Sequence, residues 1–170
     1  MIARSLALTA SCALAPPPGA AEAQTREDFR VSAAIVAGCS VALDGGGTWG
    51  RIDLGTVAGT GTGAVEAAIT SAGGAGLRLD CTPGTTASLS ADAGEHGAGG
   101  TRRLAHGSGA TVPYELFVDG DPAPWRDRAI PVSFPAGARR RSVPIRARAI
   151  LSGALPAGRY ADTVRVTLTW

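Results

Sequence analysis

A chain of 170 residues, 45% of them hydrophobic, is long enough for one domain with a real core and too short for two. A formal charge of +2 is too small to point to nucleic acid, and the basic residues are all arginine, a mark of base composition rather than of function. Glycine (24) and proline (11) are abundant and aromatics are 5%, a balance that suits many short strands joined by turns.

The first residues read as an export signal. Met1-Ile-Ala-Arg4 gives a short basic start, Ser5 to Ala15 a moderately apolar run, and Ala21-Glu-Ala23 an A-x-A cleavage site before Gln24. The run is too short to span a bilayer, so a signal peptide over residues 1–23 is expected, with no transmembrane segment in the mature chain. Pro16-Pro17-Pro18 leaves cleavage nearer Ala15 as an alternative. Cys12 goes with the signal. Cys39 and Cys81 remain, an even count in an oxidising compartment, and one disulfide is expected between them. Closing a loop of about forty residues stabilises by roughly 4 kcal/mol in the chain-entropy model. A reactive or metal-binding cysteine pair lacks supporting partners.

Past a polar stretch to Asp28, the segment from Phe29 to Val36 alternates, with Phe29, Val31, Ala33 and Ile35 on one side. Residues 24–37 are expected to be an extension and 38–170 the domain. Further strands are expected over Gly38 to Leu43, Ile52 to Val57, Val65 to Thr70, Leu77 to Cys81 and Thr85 to Ser90. Arg102 to Ala105 and Thr111 to Val118 read as a hairpin joined through His106-Gly-Ser-Gly109. Ala129 to Phe134 is short. Ser142 to Leu151 reads as one strand, with Pro144 on its outward face marking an edge or the start of pairing. Tyr160 to Trp170 completes the set, with Val164, Val166, Leu168 and Trp170 alternating against Arg165, Thr167 and Thr169. An apolar edge of this kind with nothing to pair its far side must be covered by something. The fold class expected is all-β, an antiparallel sandwich.

Cys39-Ser-Val41, Ile52-Asp-Leu54-Gly55, Leu79-Asp-Cys81-Thr-Pro-Gly-Thr85, Tyr114-Glu-Leu116-Phe-Val-Asp119, Trp125 and Leu155-Pro-Ala-Gly-Arg-Tyr-Ala-Asp-Thr-Val164 together resemble the spore coat protein U domain family. The resemblance covers nearly the whole mature chain, and its most specific part is the C-terminal Pro-Ala-Gly-x-Tyr-x-Asp-Thr-Val pattern. That family includes subunits of archaic chaperone–usher pili. The resemblance implies an incomplete immunoglobulin-like β-sandwich, lacking its final strand and completed by donor-strand exchange, a form of β-augmentation. Phe29, Val31, Ala33 and Ile35 would then fill a neighbour's groove, and Val164, Val166, Leu168 and Trp170 would line the acceptor groove that also faces the chaperone. The implied partners are other pilus subunits (in a homo- or hetero-polymer), a periplasmic chaperone and an outer-membrane usher. The implied location is an extracellular fimbrium serving adhesion or biofilm, reached through the periplasm. The length leaves no room for a second, receptor-binding domain, so a shaft or minor subunit is expected rather than a tip adhesin. The Gly45-Gly46-Gly47-Thr-Trp49 loop, Pro122-Ala-Pro124 and Arg139-Arg140-Arg141 depart from the family's usual pattern.

No cofactor, metal or enzyme activity is expected. His96 and His106 stand in glycine-rich loops with no nucleophile motif beside them and read as solvated. His96 with Glu95 and Asp92 makes a poor metal set, and Asp119, Asp121 and Asp127 read as turn residues rather than calcium ligands. Gly59-Thr-Gly-Thr-Gly63 lacks the helix a phosphate loop needs and reads as a linker. Arg139-Arg140-Arg141 could meet an anionic surface or form a solvated turn. Trp49 and Trp125 could stack on sugars or plug the sandwich ends. The rival functions are therefore a self-contained secreted coat protein that closes its own sandwich, and a carbohydrate-binding module.

Overall fold

The computed structural model describes residues 25–170; the expected signal peptide and Cys12 lie outside them. The chain divides between Ala34 and Ile35 into two units. In the first, residues 25–34 form no strand and are exposed. The second is built from strands, with no helix among the described residues. They are β1 (Cys39–Val41), β2 (Arg51–Ile52), β3 (Thr62–Ser71), β4 (Gly74–Ala75), β5 (Leu77–Cys81), β6 (Thr86–Ala91), β7 (Arg102–Ala105), β8 (Thr111–Val118), β9 (Ile130–Ser133), β10 (Arg140–Val143), β11 (Ile145–Ser152) and β12 (Val166–Thr169).

All strand pairings are antiparallel. One sheet runs β2-β3-β11-β8-β7, with β4 attached to β3. The other layer is two short sheets, β1-β5-β10 and β12-β6-β9. These two are continuous with each other. Asp80 faces Arg140 and Thr86 faces Ser133, so the ladder resumes across the Thr82–Thr85 turn with one extra residue on the second strand, a bulge. Between the two pairings Gly84 N–H donates to Phe134 O (2.6 Å) and Cys81 N–H to Arg139 O (2.8 Å). It follows that β1 and β12 lie in tandem along the same edge of the joined β5–β6 strand, and β9 and β10 along the other.

Alternation in sequence becomes alternation in burial. Leu77, Leu79 and Cys81 of β5 are buried, as are Val112, Tyr114, Leu116 and Val118 of β8 and Ile145, Ala147, Ala149 and Leu151 of β11. Together with Ala87, Leu89, Val132, Phe134, Val143 and Trp125 they make one core shared by both layers. Each large side chain in it contributes about 1.5–3 kcal/mol by leaving water. The outward residues pair across the surface. Arg146 and Arg148 reach Glu66 at 3.5 and 3.3 Å, and the Arg146 guanidinium lies 4.7 Å from the centre of the Phe117 ring.

Several elements differ from expectation. The single strand expected from Ser142 to Leu151 is two strands in different layers, parted at Pro144. β10 pairs only with β5, whereas β11 is central between β3 and β8. Proline has no N–H to give a ladder, so the chain changes partners there, and Pro144 O accepts from Asp119 N–H at 2.9 Å. The expected strand from Ile52 to Val57 stops after Ile52. Asp53 Oδ1 accepts from Gly55 N–H (2.9 Å) and Gly55 takes φ 79°, so the backbone turns instead. In the other direction, β3 begins earlier than Val65, at Thr62, after a turn closed by Gly61 N–H to Ala58 O (2.8 Å).

Candidate acceptor groove

β12 is an edge strand. It pairs with β6 at Val166↔Ala91 through Thr169↔Ser88 and has no second ladder partner among the described residues. Its inward side chains Val166 and Leu168, with Val164 just before them, pack against the core yet remain only partly buried. The same holds for Val41 of β1, Ile52 of β2, Leu54 in the turn after it, and Val65 of β3. On β5, β8 and β11 every inward residue is buried. The inward rows of β5, β8 and β11 are therefore fully covered, while those of β12, β1, β2 and β3, with Ala91 of β6, Leu104 of β7 and Ile130 of β9, are half-covered. Val57 and Leu43 are more exposed still, and Trp170, just past β12, is 58% exposed. An apolar face with an unpaired strand edge is a template for another strand.

What holds β12 in place is a polar latch. The chain first touches the β2–β3–β11–β8–β7 sheet, where Ala161 bridges Ala105, and then crosses to β6. At the crossing sits Asp162, its carboxylate 1% exposed. It accepts from the Tyr114 hydroxyl (2.7 Å) and from His96 N–H (3.0 Å), and His96 Nδ1 lies 3.0 Å away. A Cβ at Gly94 would meet the Asp162 carboxylate at 2.1 Å, so only glycine fits beside it. Asp92 continues the ladder, its Oδ1 accepting from Arg165 N–H (3.0 Å) and its own N–H donating to Arg165 O (3.0 Å). Buried Arg102 ties the same corner together, donating to the carbonyls of Trp125, Arg126 and Asp92. Burial pulls its guanidinium below the ordinary arginine value, and it stays a cation in the working range.

The Pro156-Ala-Gly-Arg-Tyr160 turn completes the latch. Tyr160 stacks on His106 with ring centres 5.0 Å apart, and its hydroxyl donates to Pro156 O at 3.0 Å. Gly158 (φ 147°) passes so close that a Cβ there would lie 2.2 Å from His106 Nε2. His106 is thus packed by the crossing segment rather than free in solvent, while His96 is exposed, as expected of a loop residue, and hydrogen-bonds Asp162. Sequence reading carries Tyr114 and Asp162 only as parts of the family pattern and Arg102 only as a strand residue, and gives none of the three a role. The available signal was their sequence neighbourhood: a lone Asp two residues after Tyr160, and an inward Tyr on an otherwise aliphatic strand face.

Burial, then the bond to Asp162, push the Tyr114 phenol well above its ordinary pKa. The sign follows directly. Above pH about 10 the unfolded tyrosine ionises while the folded one keeps its proton, so this contribution is complete below that pH and drains away as pH rises. Stability is expected to fall by up to about 1.4 kcal/mol per pH unit in that range, and Tyr114→Phe to flatten the slope, as read by urea unfolding at pH 9 to 11. An unchanged slope in the variant would remove Tyr114 as its source.

The remaining candidate residues fall as follows. Cys39 and Cys81 are joined by a disulfide that ties the first residue of β1 to the last of β5. Phe29, Val31 and Ile35 are 87%, 82% and 92% exposed, with Ala33 exposed too and no strand formed. Trp125 is fully buried, its Nε1–H donating to Arg128 O (2.9 Å), and so presents no face to a sugar. Trp49 is half-buried against the core. Arg140 and Arg141 pair with Asp80 and Asp119, both at 3.0 Å, and Asp121 pairs with Arg128 at 2.7 Å. No group of three or more His, Cys, Asp or Glu side chains converges on a metal position among the described residues.

Comparison with known proteins bears on the same features. A search of curated proteins finds no match to the sequence. Among solved structures, the fold is similar to a chain in the crystal structure of the CsuC–CsuE chaperone–tip adhesion subunit pre-assembly complex, from the archaic chaperone–usher Csu pili of Acinetobacter baumannii. The TM-score is 0.53 at 15% identity, over 80% of this chain and 40% of that one. This likeness carries the fold, an immunoglobulin-like all-β sandwich. The family model for the Spore Coat Protein U domain matches residues 25–167, a span that takes in the exposed extension, the disulfide and the Asp162 latch. By that match the chain belongs to the Spore Coat Protein U domain family.

Proposed function

We propose that this chain is a structural subunit of an extracellular chaperone–usher pilus that polymerises by donor-strand complementation. Residues 24–37 are the donor, residues 38–170 the acceptor domain, and residues 1–23 the signal that sends the chain through the periplasm. One observation carries the reading. The same chain has a sandwich flank whose inward residues Val164, Val166 and Leu168 are half-covered beside an unpaired edge, and an extension whose alternating Phe29, Val31, Ala33 and Ile35 are exposed. Burying Phe29, Val31 and Ile35 in a neighbour gives about 1.5–3 kcal/mol each, beside new main-chain hydrogen bonds, against about 1–2 kcal/mol per residue to order the strand.

Family membership and the shared fold with a Csu pilus complex support this reading. The partners are other subunits, a periplasmic chaperone covering the β12 edge before assembly, and an outer-membrane usher. The assembled fimbrium serves attachment at the cell surface, with this chain in the shaft or as a minor subunit. The carbohydrate-binding alternative loses one of its two aromatic platforms to the core, since Trp125 is buried.

The test is the behaviour of the exported chain by itself and with its chaperone. Alone, it is expected to form non-covalent filaments visible by negative-stain electron microscopy; with chaperone, a soluble complex of the two. A stable, soluble monomer that never forms filaments would count against the proposal.

A further inference from the structure

The base of the extension is held by very little. β1 gives three residues of ladder to β5, with Thr82 N–H donating to Gly38 O (2.9 Å), Gly38 N–H to Thr82 Oγ1 (3.0 Å) and Ala42 N–H to Arg78 O (3.1 Å) at its ends. The chain then runs through a turn closed by Gly47 N–H to Asp44 O (3.0 Å) to β2, which pairs only Arg51 and Ile52 with β3. A long ladder begins only at β3, which lies against β11 from Thr62 to Ala68. Tension entering at Gly38 would meet these short pairings one after another.

The disulfide changes that path. Cys39 is the first residue of β1, and its partner Cys81 ends β5, a strand flanked by β1 on one side and β10 on the other. From Cys81 a single run of backbone, Thr82–Thr85 and then β6, leads to Ser88–Ala91, where β12 is laid.

We propose that this disulfide is a mechanical shunt: tension drawn between the extension and the β12 edge passes from Cys39 to Cys81 and along β6, bypassing β1, β2 and the chain between them. The inference rests on the donor-strand reading for where force enters and leaves a subunit. With the bond closed, the segment from Ala42 to Gly61 carries no tension and keeps Val41, Trp49, Ile52 and Leu54 on the core. With the bond open, β1 and then β2 shear away, and roughly twenty residues are released up to β3. At about 3.3–3.6 Å per residue that is an extension of up to about 70 Å per subunit. Oxidation therefore fixes the length of each subunit under load, and reduction makes it extensible.

An optical-trap experiment on the single exported chain tests this. One handle is placed at its N-terminal end and the other at Glu95, just past β6, through an azide-bearing residue so that no new thiol is added. The oxidised chain is expected to show no step before the domain opens as a whole. After reduction in place with dithiothreitol, an early low-force step of up to about 70 Å is expected. Moving the first handle to Thr60, beyond β2, is expected to remove that step in both redox states. Reduction acts on the already folded molecule, so no cysteine-free variant has to fold. Identical traces before and after reduction, or an early step that persists from Thr60, would overturn the shunt. Filaments are not needed, so a failure to polymerise and a failure of the shunt are read separately.

Discussion

Filament assembly is expected to stop in the Val31→Asp chain, while export and chaperone binding continue as before. Val31 is 82% exposed, so the substitution costs the chain's own fold nothing. Its effect falls on the inserted state. There a valine worth about 1.5–3 kcal/mol of burial is replaced by a carboxylate that must lose its water in an apolar groove, at a further few kcal/mol. A combined loss of about 4 kcal/mol or more weakens each junction on the order of a thousandfold, and a polymer made of such junctions fails to grow. Ser32→Asp is the matched control: it adds the same charge at the alternate position and is expected to leave filaments intact. Sedimentation and electron microscopy of the three proteins decide the matter, and normal filaments from Val31→Asp would remove the donor role.

Asp162→Ala is expected to destabilise the domain by about 2–4 kcal/mol. The variant strands the Tyr114 hydroxyl inside the sandwich, where an unpaired buried donor costs about 1–3 kcal/mol, and removes the acceptor that His96 N–H and the ring at Nδ1 share. The His96 side chain is 43% exposed and recovers water, which caps the total. At this chain length the loss corresponds to a fall of roughly 5–15 °C in Tm. Asp162→Asn keeps an oxygen for Tyr114 and should lose about half as much. Because the latch fixes where β12 crosses between layers, the alanine variant should also bind chaperone more weakly, which a purely local packing defect elsewhere in the core would not do. An alanine variant within 0.5 kcal/mol of the parent in urea unfolding would show that the latch contributes nothing.

Much of this architecture is legible before any coordinates. β5 and β8 fall where alternation places them because each turns one set of alternate side chains into the core, the condition that writes period two into a sequence. The Pro144 break escapes detection for the same reason. Burial alternates without a change of phase from Val143 through Leu151, so the pattern is blind to the exchange of ladder partners at the proline. Trp125 stands among Asp, Pro and Gly, which mark a surface turn. Only the return of that turn over Leu116, whose carbonyl accepts Trp125 N–H, buries the indole. The Asp162 latch joins residues from three remote stretches, and local periodicity carries no record of such a meeting. Phe29, Val31, Ala33 and Ile35 show an apolar face in sequence, but a face does not name the surface that covers it.

The order in which the layers knit has a bearing on biogenesis. β11 faces β3 across on the order of eighty positions of chain, and β12 faces β6 across nearly as many, so the closing contacts of both layers are distant in sequence and slow to be found, on the ms–s scale typical of such topologies. On the export route proposed above, β3 and β6 would reach the periplasm well before the strands that complete them. For that interval they present bare edges in a crowded compartment, prone to cross-pairing between nascent copies. A holdase able to act on the early strands would shorten that exposure, and the yield of native protein should depend on its abundance during export as much as on events at the finished groove.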